Sequence, residues 1–152
     1  MKVYKACREI DGKIFSCVIG YGAMHPLWED NWKVEYIPNT PTYPRIEGSL
    51  LLAFRTLKNA REFCRREGVP VWRAEAEGVV DIPQVACFYE NAGDAGNVGN
   101  INHLSFWRGD KSALTFKAPL GTVGCKSITL IRKLKKLSPP PPNYSGIYCL
   151  KT

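Results

Sequence analysis

Apolar residues recur at every second position through most of this chain, and at every third or fourth position in one stretch only. The first period belongs to strands with one buried face, the second to a helix lying on a core. Val3 to Glu9 and Lys13 to Ile19 are short, rich in Val, Ile, Tyr and Phe, and joined through Asp11-Gly12, so they predict a hairpin. Residues 20–31 hold two glycines, a proline and several polar groups and read as a loop. Trp32 to Ile37 alternates again, with Trp32, Val34 and Tyr36 on one face. Pro38, Pro41 and Pro44 then oppose both regular pairing and helix.

The helical stretch follows a buried strand, Leu50 to Phe54. Thr56 suits an N-cap. Leu57, Ala60, Phe63 and Cys64 recur at helical spacing, while Lys58, Arg61, Glu62, Arg65 and Arg66 are expected to face water. Gly68 ends the helix and Pro70 prevents its return. Val71 to Glu77 then alternates strictly, with Trp72, Ala74 and Ala76 on one side and Arg73, Glu75 and Glu77 on the other, an antiparallel strand with one wet face.

Past Gly78 the pattern is all β. Gln84 to Tyr89 predicts a strand, and residues 91–102 a long loop of Gly, Asn and Ala. Leu104 to Arg108 and Ala113 to Lys117 bracket Gly109-Asp110-Lys111 and predict a second hairpin. Val123 to Leu134 holds another strand centred on residues 128–131. The expected fold class is therefore α+β, a predominantly antiparallel sheet of about 7–9 short strands with one helix at residues 56–67. Residues 1–137 form one compact domain in this reading. Residues 138–152 are a proline-rich tether, from the run Pro139 to Pro142, ending in an apolar segment, Ile147 to Leu150, that would add an edge strand.

Composition narrows the class. With 152 residues, 45% of them hydrophobic and 23% charged, the chain has the make-up of one ordinary folded domain. No apolar run nears the roughly 20 residues of a membrane helix, and the N-terminus turns polar too soon for a secretory signal. No membrane association and a cytoplasmic location are expected. The cysteines, Cys7, Cys17, Cys64, Cys87, Cys125 and Cys149, are scattered without close pairs, and His25 and His103 stand alone. Zinc needs clustered thiolates or imidazoles, so free buried thiols, no metal and no cofactor are expected.

Charge changes the picture more. The net charge is +7, and residues 79–152 carry nine basic and four acidic side chains. Lys126, Arg132, Lys133, Lys135 and Lys136 supply much of that excess. Such a field favours an anionic partner, although a solvated strand end would look the same. Aromatic residues add to it: Tyr21, His25, Trp28, Trp32 and Tyr43 lie in or beside two irregular loops, and Trp107 abuts Arg108. Rings stack on bases while Arg and Lys neutralise phosphates, a pairing that suits a nucleotide. The candidate ligand-binding set is Tyr21, Trp28, Trp32, Trp107, Arg108, Lys126, Arg132 and Lys133.

Weaker signals have plainer readings. The glycines at 93, 96 and 99 are followed by a strand-like segment and not by the helix a phosphate-binding loop would open, so a lid competes with an ordinary loop. His103 with Ser105, and Glu75 with Glu77, share strand faces, but neither spacing by itself makes a nucleophile–base or paired-carboxylate site. No catalytic residue is assigned.

Two stretches carry a resemblance. Val3-Tyr4-Lys5 with Asp11-Gly12-Lys13 and Ser16, then Leu51 through Phe63, resembles small uncharacterised α+β proteins of phages and their hosts; Ala118-Pro119-Leu120-Gly121-Thr122 is similar to the same group. The resemblance implies a protein in the host cytoplasm that binds and sequesters a nucleotide defence signal. The function expected is non-catalytic binding of an anionic, nucleotide-like small molecule. One alternative is a small nucleotide-modifying enzyme of the ADP-ribosyltransferase type, whose strand–helix step this chain resembles. Another is a module that binds nucleic acid or a host protein. Self-association stays open.

Overall fold

In a computed structural model the described residues are 1–16, 34–86, 104–113 and 115–135. Ten short strands appear among them: β1 (Lys2–Ile10), β2 (Lys13–Ser16), β3 (Glu35–Tyr36), β4 (Leu51–Phe54), β5 (Val71–Glu77), β6 (Val80–Asp81), β7 (Gln84–Ala86), β8 (Thr115–Lys117), β9 (Thr122–Cys125) and β10 (Ser127–Lys133). The one long helix, α1, is Leu57–Glu67. Every strand pair is antiparallel, and the fold is α+β.

The predicted hairpin forms with Ile10 opposite Lys13, leaving Asp11 and Gly12 as a two-residue turn. Both take positive φ, 51° and 77°, the geometry whose twist matches the flanking strands. At the other end of the β4–α1–β5 unit the helix starts and stops where its sequence says. Thr56 accepts a hydrogen bond from the Asn59 N–H at 3.2 Å, and Gly68 leaves the helix at φ 68°.

The main sheet runs β10-β5-β1-β4-β9-β6. Since β4 and β5 both lie antiparallel to β1, they are parallel to each other with β1 between them. The unit β4–α1–β5 is thus a split β-α-β, and α1 spans β1 to join its two neighbours. Under the helix, Ala6, Phe54, Ala60, Cys64, Val69 and Val71 form one core layer, with Tyr4, Leu57, Phe63 and Leu134 packed at its margin. Val3, Cys7, Tyr36, Ala74, Val123, Cys125, Ile128 and Leu130 belong to a second layer on the opposite face of the sheet. Cys7, Cys64 and Cys125 are buried free thiols. Cys17, Cys87 and Cys149 lie outside the described residues.

Three expectations are corrected. Residues 104–107 are helical rather than a strand, and β8 pairs with β7, so there is no hairpin across residues 109–111. The stretch 123–134 is two strands, and they part at Lys126: β9 joins β4 while β10 joins β5 on the far side of the sheet. The proline-rich segment also pairs in part, because Asn39 and Thr42 donate to the carbonyls of Leu130 and Ile128 along the outer edge of β10. Its prolines leave these intervening N–H groups free to bond. The predicted loop 91–102 and the segment 138–152 lie outside the described residues. Among the described residues no helix is long and apolar enough to cross a membrane.

Candidate anion-binding site

Antiparallel partners share a sheet face, so the pairing register lists which side chains form rows across the strands. One row on the helix side reads Thr122, Phe54, Tyr4, Arg73, Arg132, passing from β9 through β4, β1 and β5 to β10. It begins apolar beneath the helix, where Phe54 meets Phe63 with ring centroids 5.2 Å apart. It ends cationic, at Arg73, which is half-buried, and Arg132, which is exposed.

Arg132 reaches this row because β10 is irregular. Leu130 pairs with Ala74 and Arg132 with Arg73, so Ile131 is an extra residue in the ladder. In a regular strand Ile131 would oppose Arg73, and Arg132 would fall on the other face, opposite Trp72. The bulge exchanges an isoleucine for an arginine at this place, a common use of bulges beside functional sites.

A third arginine comes from α1. Phe63 lies on the flank of the helix that meets β4, and Asn59 lies on that same flank against Gly121. Arg61 projects roughly 160° away from Phe63 around the helix axis, toward β5. Sequence reasoning set Arg61 among the water-facing residues, yet it is half-buried and its Nε is fully covered. The Nε of Arg73 is likewise covered, and neither nitrogen has a hydrogen-bond partner. Among the described residues Arg61, Arg73 and Arg132 make no ion pair. Buried guanidinium N–H groups without acceptors are costly.

The rows on either side differ. Toward one end lie Ala6, Val71 and Leu134, all apolar. Toward the other lie Lys2, Glu75 and Thr129, and Glu75 is held by the N-terminal amine of Met1 at 3.4 Å.

The expected binding residues separate. Arg132 belongs to the row. Lys133, next along, pairs with Trp72 on the opposite face and forms an ion pair with Glu9 at 2.7 Å. Lys126 is exposed at the junction of β9 and β10, six residues and about 20 Å of strand from Arg132. Trp107 is half-buried in the helical turn, with its carbonyl near Gly48, and Arg108 follows it exposed. Tyr21, Trp28 and Trp32 lie outside the described residues. Arg61, Arg73 and Tyr4 were not among the expected binding residues; the only signal for Arg73 was that it interrupts an otherwise acidic strand face.

The opposite face holds a different cation. Lys5 is 3% exposed, and its Nζ donates to the Leu52 carbonyl at 2.6 Å and to Ser16 Oγ at 3.0 Å. The ammonium also lies 5.4 Å from the centre of the Tyr36 ring. Beside it, Cys125 has its thiol pushed up to about 11 by burial, against the opposing fields of Lys5, Arg55 and the N-terminus. This lysine is spent on internal contacts, whereas the arginines are not. Comparisons with protein-family models, curated proteins and solved structures find no match to the chain.

Proposed function

We propose that this protein binds an anionic, nucleotide-like small molecule and leaves it chemically unaltered. The observation that supports this reading is the set of three arginines without acidic partners, Arg61, Arg73 and Arg132, two of them with a covered and unpartnered Nε. Guanidinium groups present planar pairs of donors that fit phosphate oxygens in bidentate fashion, and they stay charged at any physiological pH. That permanence suits holding an anion and unsuits proton transfer. Tyr4, at the boundary between the apolar and cationic parts of the row, offers a ring and a hydroxyl to whatever the anion is attached to. Retention without turnover is also the role implied by the resemblance to small phage proteins, for which sequestering a host signal is enough.

The test is titration calorimetry with adenosine 5′-monophosphate at two salt concentrations. Arg73→Ala or Arg132→Ala should weaken binding about 10–100-fold, the worth of one charge-assisted contact. The variant's remaining affinity should also be less salt-sensitive. Lys126→Ala and Lys133→Ala should bind like the parent. Nucleotide recovered after denaturation should be intact. Equal affinity in all four variants, or a modified nucleotide, would contradict the proposal.

A further inference from the structure

We infer that the arginine row is built for a phosphate monoester carrying two negative charges next to hydroxyl groups, rather than for a phosphodiester. The inference rests on the reading above and specifies its ligand.

Charge matching is the first argument. Arg73 and Arg132 are register partners in the row, Arg61 lies on the flank of α1 turned away from β4, and no carboxylate among the described residues forms an ion pair with any of the three. A monoester has about two charges at neutral pH and three terminal oxygens, one for each guanidinium fork. A diester has one charge and two such oxygens, so one arginine would stay unmatched in a partly desolvated place.

Shape is the second argument. Helix α1 covers the row on its β4 side, and among the described residues β10 is the last strand of the sheet on the other. The segment hydrogen-bonded along the outer edge of β10 reaches only to Leu130, through Asn39, and so stops short of Arg132. A ligand that brings in one terminal group from that edge needs no second exit, while a group substituted on both sides would have to thread beneath the helix.

The third argument concerns what adjoins the phosphate. One strand period from Arg73, on the same face, sits the Glu75 carboxylate, with Lys2 and Thr129 beside it. Two residues along a strand are about 7 Å, the span from a phosphate to the nearer hydroxyls of an attached sugar. A carboxylate and a threonine hydroxyl accept hydrogen bonds from such hydroxyls. Sugar phosphates and nucleoside monophosphates fit all three conditions.

The experiment compares adenosine 5′-monophosphate with adenosine 3′,5′-cyclic monophosphate by titration calorimetry on the full chain, at pH 7.5 and pH 5.0. Circular dichroism at both pH values establishes that the fold is retained. The monoester should bind at least tenfold more tightly than the cyclic diester at pH 7.5. Its affinity should fall about tenfold at pH 5.0, because its second proton, with a pKa near 6, returns while the arginines keep their charge. The diester should bind equally at both pH values, and Arg73→Ala should abolish the preference for the monoester. Equal affinities with no pH dependence would overturn the monoester inference and leave anion binding standing. A preference that survives Arg73→Ala would overturn the placement at this row. Binding of neither compound would overturn the proposed function, and the inference with it.

Discussion

Arg132 of β10 stands directly opposite Arg73 of β5, like charge facing like charge with no carboxylate between them. Such a pair opposes folding by about 0.2–1 kcal/mol. Arg132→Thr should therefore raise stability by that amount in urea unfolding at low salt, and the gain should shrink as salt screens the repulsion. The same variant should bind phosphate monoesters poorly. A loss of stability at low salt would show that the two guanidinium groups are not in conflict. The expected trade of stability against affinity is the mark of a site, since a purely structural pair has no reason to be repulsive.

Lys5 should behave in the opposite way, as a residue whose charge serves the fold. Lys5→Met keeps an apolar stem but removes the donor to Leu52 and Ser16, and should cost about 1–3 kcal/mol. Lys5→Ala also gives up buried methylene groups and should cost about 2–3 kcal/mol more. Equal losses in urea melts would mean that the stem is not packed. A Met variant more stable than the parent would mean that the cost of burying the ammonium exceeds its hydrogen bonds.

Cys125 gives the fold a sensitivity to alkali. Its thiol titrates near 9.0 when exposed and is raised to about 11 in the folded chain, chiefly by burial. Between those values the unfolded chain loses this proton and the native chain keeps it, so the thiol's contribution is complete below about pH 9 and declines as pH rises toward 11. Other groups titrate in the same window, so the informative quantity is a difference. The stability of the parent relative to Cys125→Ala should decrease from pH 8.5 to pH 10.5. A constant difference would remove the shift.

The first turn of the helix can be tested at two places. Thr56→Ala removes the oxygen that accepts from Asn59 and should cost about 1 kcal/mol. Gly121→Ala should cost more, because the residue sits at φ 81° and an added Cβ would collide with the Asn59 side chain. If thermal melts ranked the two in reverse, the contact between α1 and the turn before β9 would be looser than described.

The local half of this fold was legible in the sequence. The Asp11-Gly12 turn, the capped helix from Thr56 to Gly68 and the alternating strand Val71–Glu77 are each written in a few adjacent residues. Partner choice was not legible. Nothing in residues 122–133 announces that β9 and β10 go to opposite sides of β1, because periodicity records which face is buried and not which strand lies alongside. Residues 104–107 misled for a related reason: Leu, Phe and Trp close to a glycine turn fit a short helix as well as a strand. The positive charge of residues 126–136 suggested an anionic partner. It could not separate Arg132 from Lys126 and Lys133, since that separation depends on one bulged residue and on an ion pair with Glu9 across 124 residues. Arg73 looked like ordinary solvent-facing charge until the register set it opposite Arg132, and Arg61 until its Nε proved to be covered.

Because β1 lies between β4 and β5, the cationic row has no local precursor. Tyr4, Arg61, Arg73 and Arg132 come from segments spread over most of the described chain, and the first must wait for Phe54 and Arg73 before it has neighbours. Closing loops of that length comes late and slowly compared with forming the hairpin or the helix. A collapsed intermediate with good local structure would therefore still be blind to the anion, and ligand capture would draw only on chains that have finished folding. An anion that recognises the completed sheet alone acts as a latch on the last step of assembly, adding its binding free energy to global unfolding rather than to any partial opening.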